Sequence, residues 1–174
     1  MNIIERAFLS VYSRSFVHLH KKTAISVNTL FNTEIMSRFH HPLVALRYLA
    51  IENYFKENVM GFDLYRNIGS GYISEAEMDK DIERFIALIK SFESNGYNGS
   101  PLIMDKTGNI VNGTHRLALL IYFSIPTVNV CTGFIVRESA GSATAAIKRL
   151  GIGNLNIEQL EEAYHRIYVK LNNI

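Results

Sequence analysis

Apolar residues recur along this chain with two periods, and the places where the period changes mark its elements. Across residues 74–95, Met78, Ile82, Phe85, Ile86, Ile89 and Phe92 fall at helical spacing. Ser74 and Glu77 supply a capping box in front of that stripe, and Asn95-Gly96 supplies the stop behind it. The pattern predicts a helix whose charged residues, Glu75, Glu77, Asp79, Asp81 and Glu83, form a solvated face favoured by the helix dipole. Tyr97-Asn98-Gly99-Ser100-Pro101 then leads into Leu102-Ile103-Met104, a strand. Asp105-Lys106-Thr107-Gly108-Asn109 has the composition of a hairpin connection, since Gly and Asn tolerate the positive φ of tight turns. Ile110-Val111 forms the returning strand. A short polar segment, residues 112–116, separates it from the run 117–123, which predicts a helix. After Pro126, the β-branched segment 127–130 predicts another strand, giving strand, turn, strand, helix, strand in under forty residues.

The two ends of the chain read as helical. Ile3, Ile4, Ala7, Phe8, Val11 and Tyr12 make one apolar stripe, and Ala24-Ile25-Ser26-Val27 suggests a short strand. Pro42 suits the first turn of a helix running through Leu43, Leu46, Leu49, Ala50 and Phe55. His40 and His41 point to different faces of any helix and read as its start, not as a ligand pair. Gly69-Ser70-Gly71 and residues 133–142 read as loops. Residues 143–150 and 156–171 predict two C-terminal helices joined by Gly151-Ile152-Gly153. In the second, Asn156 is the expected N-cap and Ile157, Leu160, Tyr164, Ile167, Tyr168 and Leu171 the buried stripe. His165-Arg166 falls in mid-helix without free N–H groups and receives no functional weight.

Composition narrows the function classes. A chain of 174 residues that is 48% hydrophobic can bury a proper core. Its net charge of +2 is far below the basic concentration of a phosphate-backbone binder, so nucleic acid is not the expected partner. The single cysteine excludes an internal disulfide and suits a reducing cytosol, and no Cys/His cluster has zinc spacing. No segment has the roughly eighteen uninterrupted apolar residues of a membrane span. Glu5, Arg6 and Arg14 interrupt the place where a signal peptide would be apolar. The expected location is cytoplasmic, with a homodimer as one way of covering the apolar N-terminal helices.

The candidate chemistry lies in Asn112-Gly113-Thr114-His115-Arg116. A turn that opens a helix presents free backbone N–H groups and the positive end of a dipole, both of which favour an anion. Gly113 lets a ligand approach the backbone, Arg116 can fork two hydrogen bonds to a phosphate, and His115 can add another donor. The alternative at this point is a plain strand-to-helix junction with Thr114 as N-cap. Elsewhere, Glu52 precedes Lys56 at the favourable i,i+4 spacing and Asp63 shares a face with Arg66, which are ordinary surface pairings.

The turn and its flanking strands, residues 97–130, resemble the ParB and sulfiredoxin superfamily, in which a G-x-H-R or G-x-R-R turn after a strand opens a helix and holds nucleotide phosphates. The wider pattern over residues 43–130, with Glu52-Asn53-Tyr54 and Gly61-Phe62-Asp63-Leu64-Tyr65, is similar to uncharacterised bacterial proteins associated with surface-polysaccharide gene sets. Sulfiredoxins carry a catalytic Cys before the His-Arg pair. Thr114 holds that place here, and Cys131 lies beyond the next strand. The partition proteins bind CTP and add a helix-turn-helix domain, for which this chain has no recognition helix. A third branch contains kinases of free amino-acid hydroxyls, often with Asp where this chain has Asn112.

The resemblance implies an α/β (α+β) fold: a small mixed sheet of the ParB/sulfiredoxin-like type, with a helical N-terminal extension over residues 1–72 and a core with C-terminal helices over 73–174, together one compact unit. The activity expected from it is nucleotide-dependent phosphotransfer to a small hydroxylated metabolite such as a sugar or amino-acid intermediate. Gly113, Thr114, His115 and Arg116 would hold the phosphates of ATP, ADP or CTP, with Mg²⁺ screening them. Asn112 would orient substrate, and Glu52 or Asp63 would supply the missing carboxylate. A non-catalytic nucleotide-sensing module and a partition-type nucleic-acid binder are the alternatives.

Overall fold

The computed structural model describes residues 22–31, 41–71, 73–105, 110–133 and 154–173. Within them the chain runs β1 (Lys22–Ser26), α1 (Val27–Phe31), α2 (His41–Tyr54), α3 (Gly61–Ser70), α4 (Glu75–Asn95), β2 (Leu102–Asp105), β3 (Ile110–Asn112), α5 (Thr114–Tyr122), β4 (Thr127–Gly133) and α6 (Asn154–Asn172). The fold is α+β, with a small mixed sheet and a larger helical part. The predicted N-terminal stripe at Ile3 to Tyr12, the turn at residues 106–109, the loop 133–142 beyond its first residue and the predicted helix 143–150 lie outside the described residues.

The sheet order is β1-β4-β2-β3. β2 and β3 are the antiparallel hairpin that the turn composition predicts, with a register shift between Ile103 and Met104. β4 returns parallel to β2, Leu102 opposite Val130, because α5 carries the chain back across the sheet before β4 begins. β1 adds to the far edge of β4, antiparallel, with Lys22 opposite Cys131 and Ser26 opposite Thr127. The strand suggested at Ala24 to Val27 therefore sits two residues earlier, and Val27 already opens α1.

α5 is the centre of the molecule. It packs against α1, α2, α4, α6 and β2, and Leu117 through Ile121 are all fully buried. A helix that is apolar on every side has to be covered on every side. α2 has the same character from Val44 to Ile51 and lies against α3, α5 and α6. Because the bodies of these helices are spent on packing, the polar residues that remain to α5 stand at its N-terminal end.

α4 forms as its sequence pattern dictates. Ser74 accepts from the Glu77 N–H, the Glu77 carboxylate accepts from the Ser74 N–H, and Gly96 ends the helix at φ 68°. Met78, Ile82, Phe85, Ile89 and Phe92 face the core. α6 departs from expectation in two respects. It begins at Asn154, so Asn156 is inside the helix instead of capping it, and Tyr168 is exposed although Leu160, Ile167 and Leu171 are buried.

Candidate anion site at the start of the central helix

Gly113 is the N-cap of α5, with a left-handed backbone (φ 114°) and no side-chain cap. Thr114 is the first helical residue, so the plain reading of Thr114 as N-cap does not hold. The glycine is required for two reasons. An L side chain is strained at that φ, and a Cβ would stand 2.5 Å from Leu102 Cδ2 on β2. Packing against the sheet thus explains Gly113 without a ligand. The N–H groups at the front of α5 nonetheless remain free of any side-chain cap, at the positive end of its dipole.

His115 and Arg116 take different routes from this turn. Arg116 Nη1 donates to the Pro101 carbonyl 2.5 Å away, fastening the front of α5 to the entry of β2. This uses part of the fork expected for a phosphate and leaves the remaining N–H groups. His115 turns between α3 and α4. Its Nε2 lies 2.7 Å from the Tyr65 hydroxyl, which in turn donates to Asp81 Oδ2 at 2.7 Å. The Phe85 ring meets the imidazole edge-on at 4.5 Å.

The hydrogen bonds of this chain determine its protonation. Asp81 as a carboxylate can only accept, so the single Tyr65 proton goes to it. The tyrosine oxygen is then an acceptor toward His115, which must carry its proton on Nε2. Desolvation pushes the imidazole pKa well below its ordinary value, and the charges of Arg47 and Arg116 push it further in the same direction. The ring is therefore neutral near pH 7, with a lone pair on Nδ1. Nδ1 has no hydrogen-bond partner among the described residues. Burial raises the Tyr65 pKa far above its usual value, as does Asp81, while Arg47 opposes the shift, so the phenol keeps its proton.

Arg47 approaches from α2. Its guanidinium sits 5.7 Å from the centre of the Tyr65 ring, Nη1 donates to the Leu43 carbonyl, and Nε is buried without a hydrogen-bond partner. Neither Arg47 nor Arg116 has a carboxylate within ion-pair distance among the described residues. Desolvation lowers the Arg116 pKa, the Tyr97 hydroxyl opposing it weakly. Two partly buried guanidinium groups thus flank an uncapped helix start, an arrangement that an anion would complete.

The three residues expected to act as catalysts separate. Asn112 ends β3 beside the turn, with its side chain exposed. Asp63 is exposed in the first turn of α3, where it complements that helix's dipole. Its expected partner Arg66 pairs with Asp79 of α4 instead. Glu52 is 7% exposed and committed elsewhere. Arg166 Nε and Nη2 donate to its two oxygens at 3.0 and 2.8 Å, and Asn58 Nδ2 reaches Oε2 at 3.2 Å. Lys56, the expected partner, lies past the end of α2 at φ 64°. No residue of 112–116 lines the hollow in which Glu52 lies.

Asp81, Tyr65, Arg47 and Arg166 were missed from the sequence. The sequence pattern puts Asp81 on a solvated face, yet it is three residues after Met78 and four before Phe85, so it borders the apolar stripe of α4. That spacing was the available signal. The mid-helix position of Arg166 carries no sign of a partner 114 residues away. Among the described residues no group of three or more His, Cys, Asp or Glu side chains could hold a metal ion, and no helix is long and apolar enough to cross a membrane.

No family model, curated protein or solved structure matches the chain.

Proposed function

We propose that the chain binds the phosphates of a nucleotide at the start of α5 and transfers the terminal phosphoryl group to a small hydroxylated metabolite. One observation carries this reading: Arg116 and, close enough to act on His115, Arg47 have no carboxylate partner among the described residues and stand by an uncapped helix N-terminus beside a neutral histidine whose Nδ1 has no partner among those residues. The resemblance of residues 112–116 to the ParB and sulfiredoxin turn supports the phosphate half of the reading.

In this mechanism the N–H groups of Thr114 to Arg116 and the free edge of Arg116 hold the terminal phosphate, and Arg47 offsets its second charge. His115 Nδ1 takes the proton of the acceptor hydroxyl as its oxygen attacks phosphorus, and the bond from phosphorus to the bridging oxygen breaks, that oxygen leaving with the remaining nucleotide phosphate. Tyr65 and Asp81 hold the ring and spread the charge it gains. His115 thus replaces Glu52 and Asp63 as the base, and Asn112 orients the substrate from the rim. Mg²⁺ in this reading rides on the phosphates, lowering their charge.

The test is a thermal-shift and calorimetric panel of ATP, ADP, CTP and GTP with and without Mg²⁺ on the wild type, Arg116→Ala and Arg47→Ala. A bound nucleotide should lose about 10- to 100-fold in affinity in Arg116→Ala, since a charged hydrogen bond is worth about 1.5–3 kcal/mol. Unchanged affinity in that variant would place the phosphates elsewhere. The uncharged Asn112 at the rim favours one second reading, a nucleotide sensor that binds without turnover. Phosphorus NMR of product formation separates the two.

A further inference from the structure

The hollow in which Glu52 lies, of about 520 Å³, opens between the end of α2, the turn at residues 55–60 and α6. That volume suits a small metabolite. Its turn is braced from several directions. Asn58 Oδ1 accepts from the N–H groups of Met60 and Gly61, Asn58 Nδ2 donates to the Leu49 carbonyl, and Asn53 Nδ2 donates to the Asn58 carbonyl. Gly61 presses so closely on α2 that a Cβ there would stand 2.0 Å from the Leu49 oxygen. The walls are therefore preformed.

The lining combines two kinds of surface. Leu49 and Leu64 are buried in the wall, while Val59 and Met60 stand at the mouth, 84% and 40% exposed. Large apolar side chains so open to water at the rim of a hollow are a surface that an apolar body would cover. Three glutamates and one arginine carry the charge. Glu52 and Arg166 neutralise each other through two hydrogen bonds. Glu57 accepts a neutral hydrogen bond from the Tyr122 hydroxyl, and Glu162 lies one helical turn before Arg166. Lys170 is outside the lining and donates to the Tyr122 carbonyl. The lining is left with net negative charge beside an apolar wall.

We infer that this hollow is a second ligand site, for a small molecule carrying a protonated amine on an apolar body. An anionic ligand would meet Glu57 and Glu162, and the Arg166 edge that could attract it is already occupied by Glu52. This site does not depend on the phosphate reading. Tyr122, which hydrogen bonds to Glu57, is the last residue of α5, whereas the anion site is at the first turn.

The experiment is a ¹H–¹³C NMR titration of the full chain, following the Met60 methyl group, with hexylammonium, hexanoate and hexanol as probes. Hexylammonium should shift the Met60 methyl saturably and bind more tightly than hexanol, with hexanoate the weakest. Glu57→Gln combined with Glu162→Gln should weaken hexylammonium roughly fivefold to tenfold and leave hexanol unchanged. Arg116→Ala should leave all three probes unaffected, which keeps this result separate from any failure of the nucleotide site. Should the double variant not fold, added NaCl must weaken hexylammonium selectively in the wild type. Hexanoate binding as well as hexylammonium, or no saturable Met60 shift with hexylammonium at tens of millimolar, overturns the inference.

Discussion

Arg166 and Arg116 are both drawn against the protein interior, but they are treated in opposite ways. Arg166 meets the buried carboxylate of Glu52 through two hydrogen bonds, and that partner raises its pKa against the opposing effect of desolvation. Among the described residues Arg116 meets only a backbone carbonyl, and desolvation lowers its pKa. The first region is electrostatically complete and holds α2 to α6. The second carries charge that the described protein groups leave uncompensated, as does neighbouring Arg47. A matched pair fixes structure, whereas an unmatched cation at a helix start costs stability unless something outside the protein completes it. The same contrast distinguishes the acids: Glu52 is consumed by its arginine, while Asp81 orients a histidine through a tyrosine.

The largest effect is expected from Gly61→Ala, which tests how rigid the matched region is. A Cβ 2.0 Å from the Leu49 carbonyl oxygen has a backbone atom in its way, and the loss should be about 3 kcal/mol by urea unfolding. A loss under about 1 kcal/mol would mean that the start of α3 can shift away from α2. Next come the two halves of the comparison itself. Glu52→Ala should cost about 2 kcal/mol, less than a fully buried pair because Arg166 is 44% exposed. Arg116→Ala without ligand should stay within about 1 kcal/mol of wild type, the value of the one hydrogen bond it makes among the described residues. Equal losses would erase the distinction between a structural and an unmatched arginine.

Tyr65→Phe should cost about 1 kcal/mol, because Asp81 retains access to water. Its sharper readout is the ¹⁵N spectrum of His115, which should leave the pure Nε2–H tautomer once the tyrosine oxygen is removed. The smallest effect concerns pH. The folded His115 pKa lies below the unfolded value of about 6.5, so the unfolded chain takes up a proton first as pH falls. This contribution to stability is complete above about pH 6.5 and declines below it. His115→Gln should therefore show a shallower loss of stability than wild type between about pH 7 and pH 5. Saturating phosphate should raise the His115 pKa by offsetting Arg47 and Arg116, and a pKa that phosphate leaves unmoved counts against an anion there.

Local grammar was legible in the sequence wherever neighbours along the chain decide the outcome. The capping box and glycine stop of α4, the β2–β3 hairpin, and the succession of turn, α5 and β4 all follow from residues within a few positions of one another. That residues 112–116 turn the chain from β3 into α5 was legible for the same reason, since a glycine turn opening a helix is a local property. The partners of the candidate catalysts were not. Glu52 with Lys56 and Asp63 with Arg66 were sound inferences from helical spacing, but both lost to longer-range partners: Arg166 took Glu52, and Asp79 took Arg66.

Although α1 and the helical Gly69-Ser70 end of α3 escaped it, the sequence by itself determined the α+β class, the capped helix α4, the β2–β3 hairpin and the succession of turn, α5 and β4. Those depend on backbone geometry, caps and apolar period, which act over one or two turns. Only the tertiary structure decided which carboxylate serves which cation, that His115 is neutral with its proton on Nε2, and that β1 closes the sheet beside β4. Each of those rests on groups brought together from different elements, as Arg66 and Asp79 are across 13 positions and Tyr65 and His115 across 50. Desolvation and hydrogen-bond direction, which set charge and tautomer, exist only once the helices have packed.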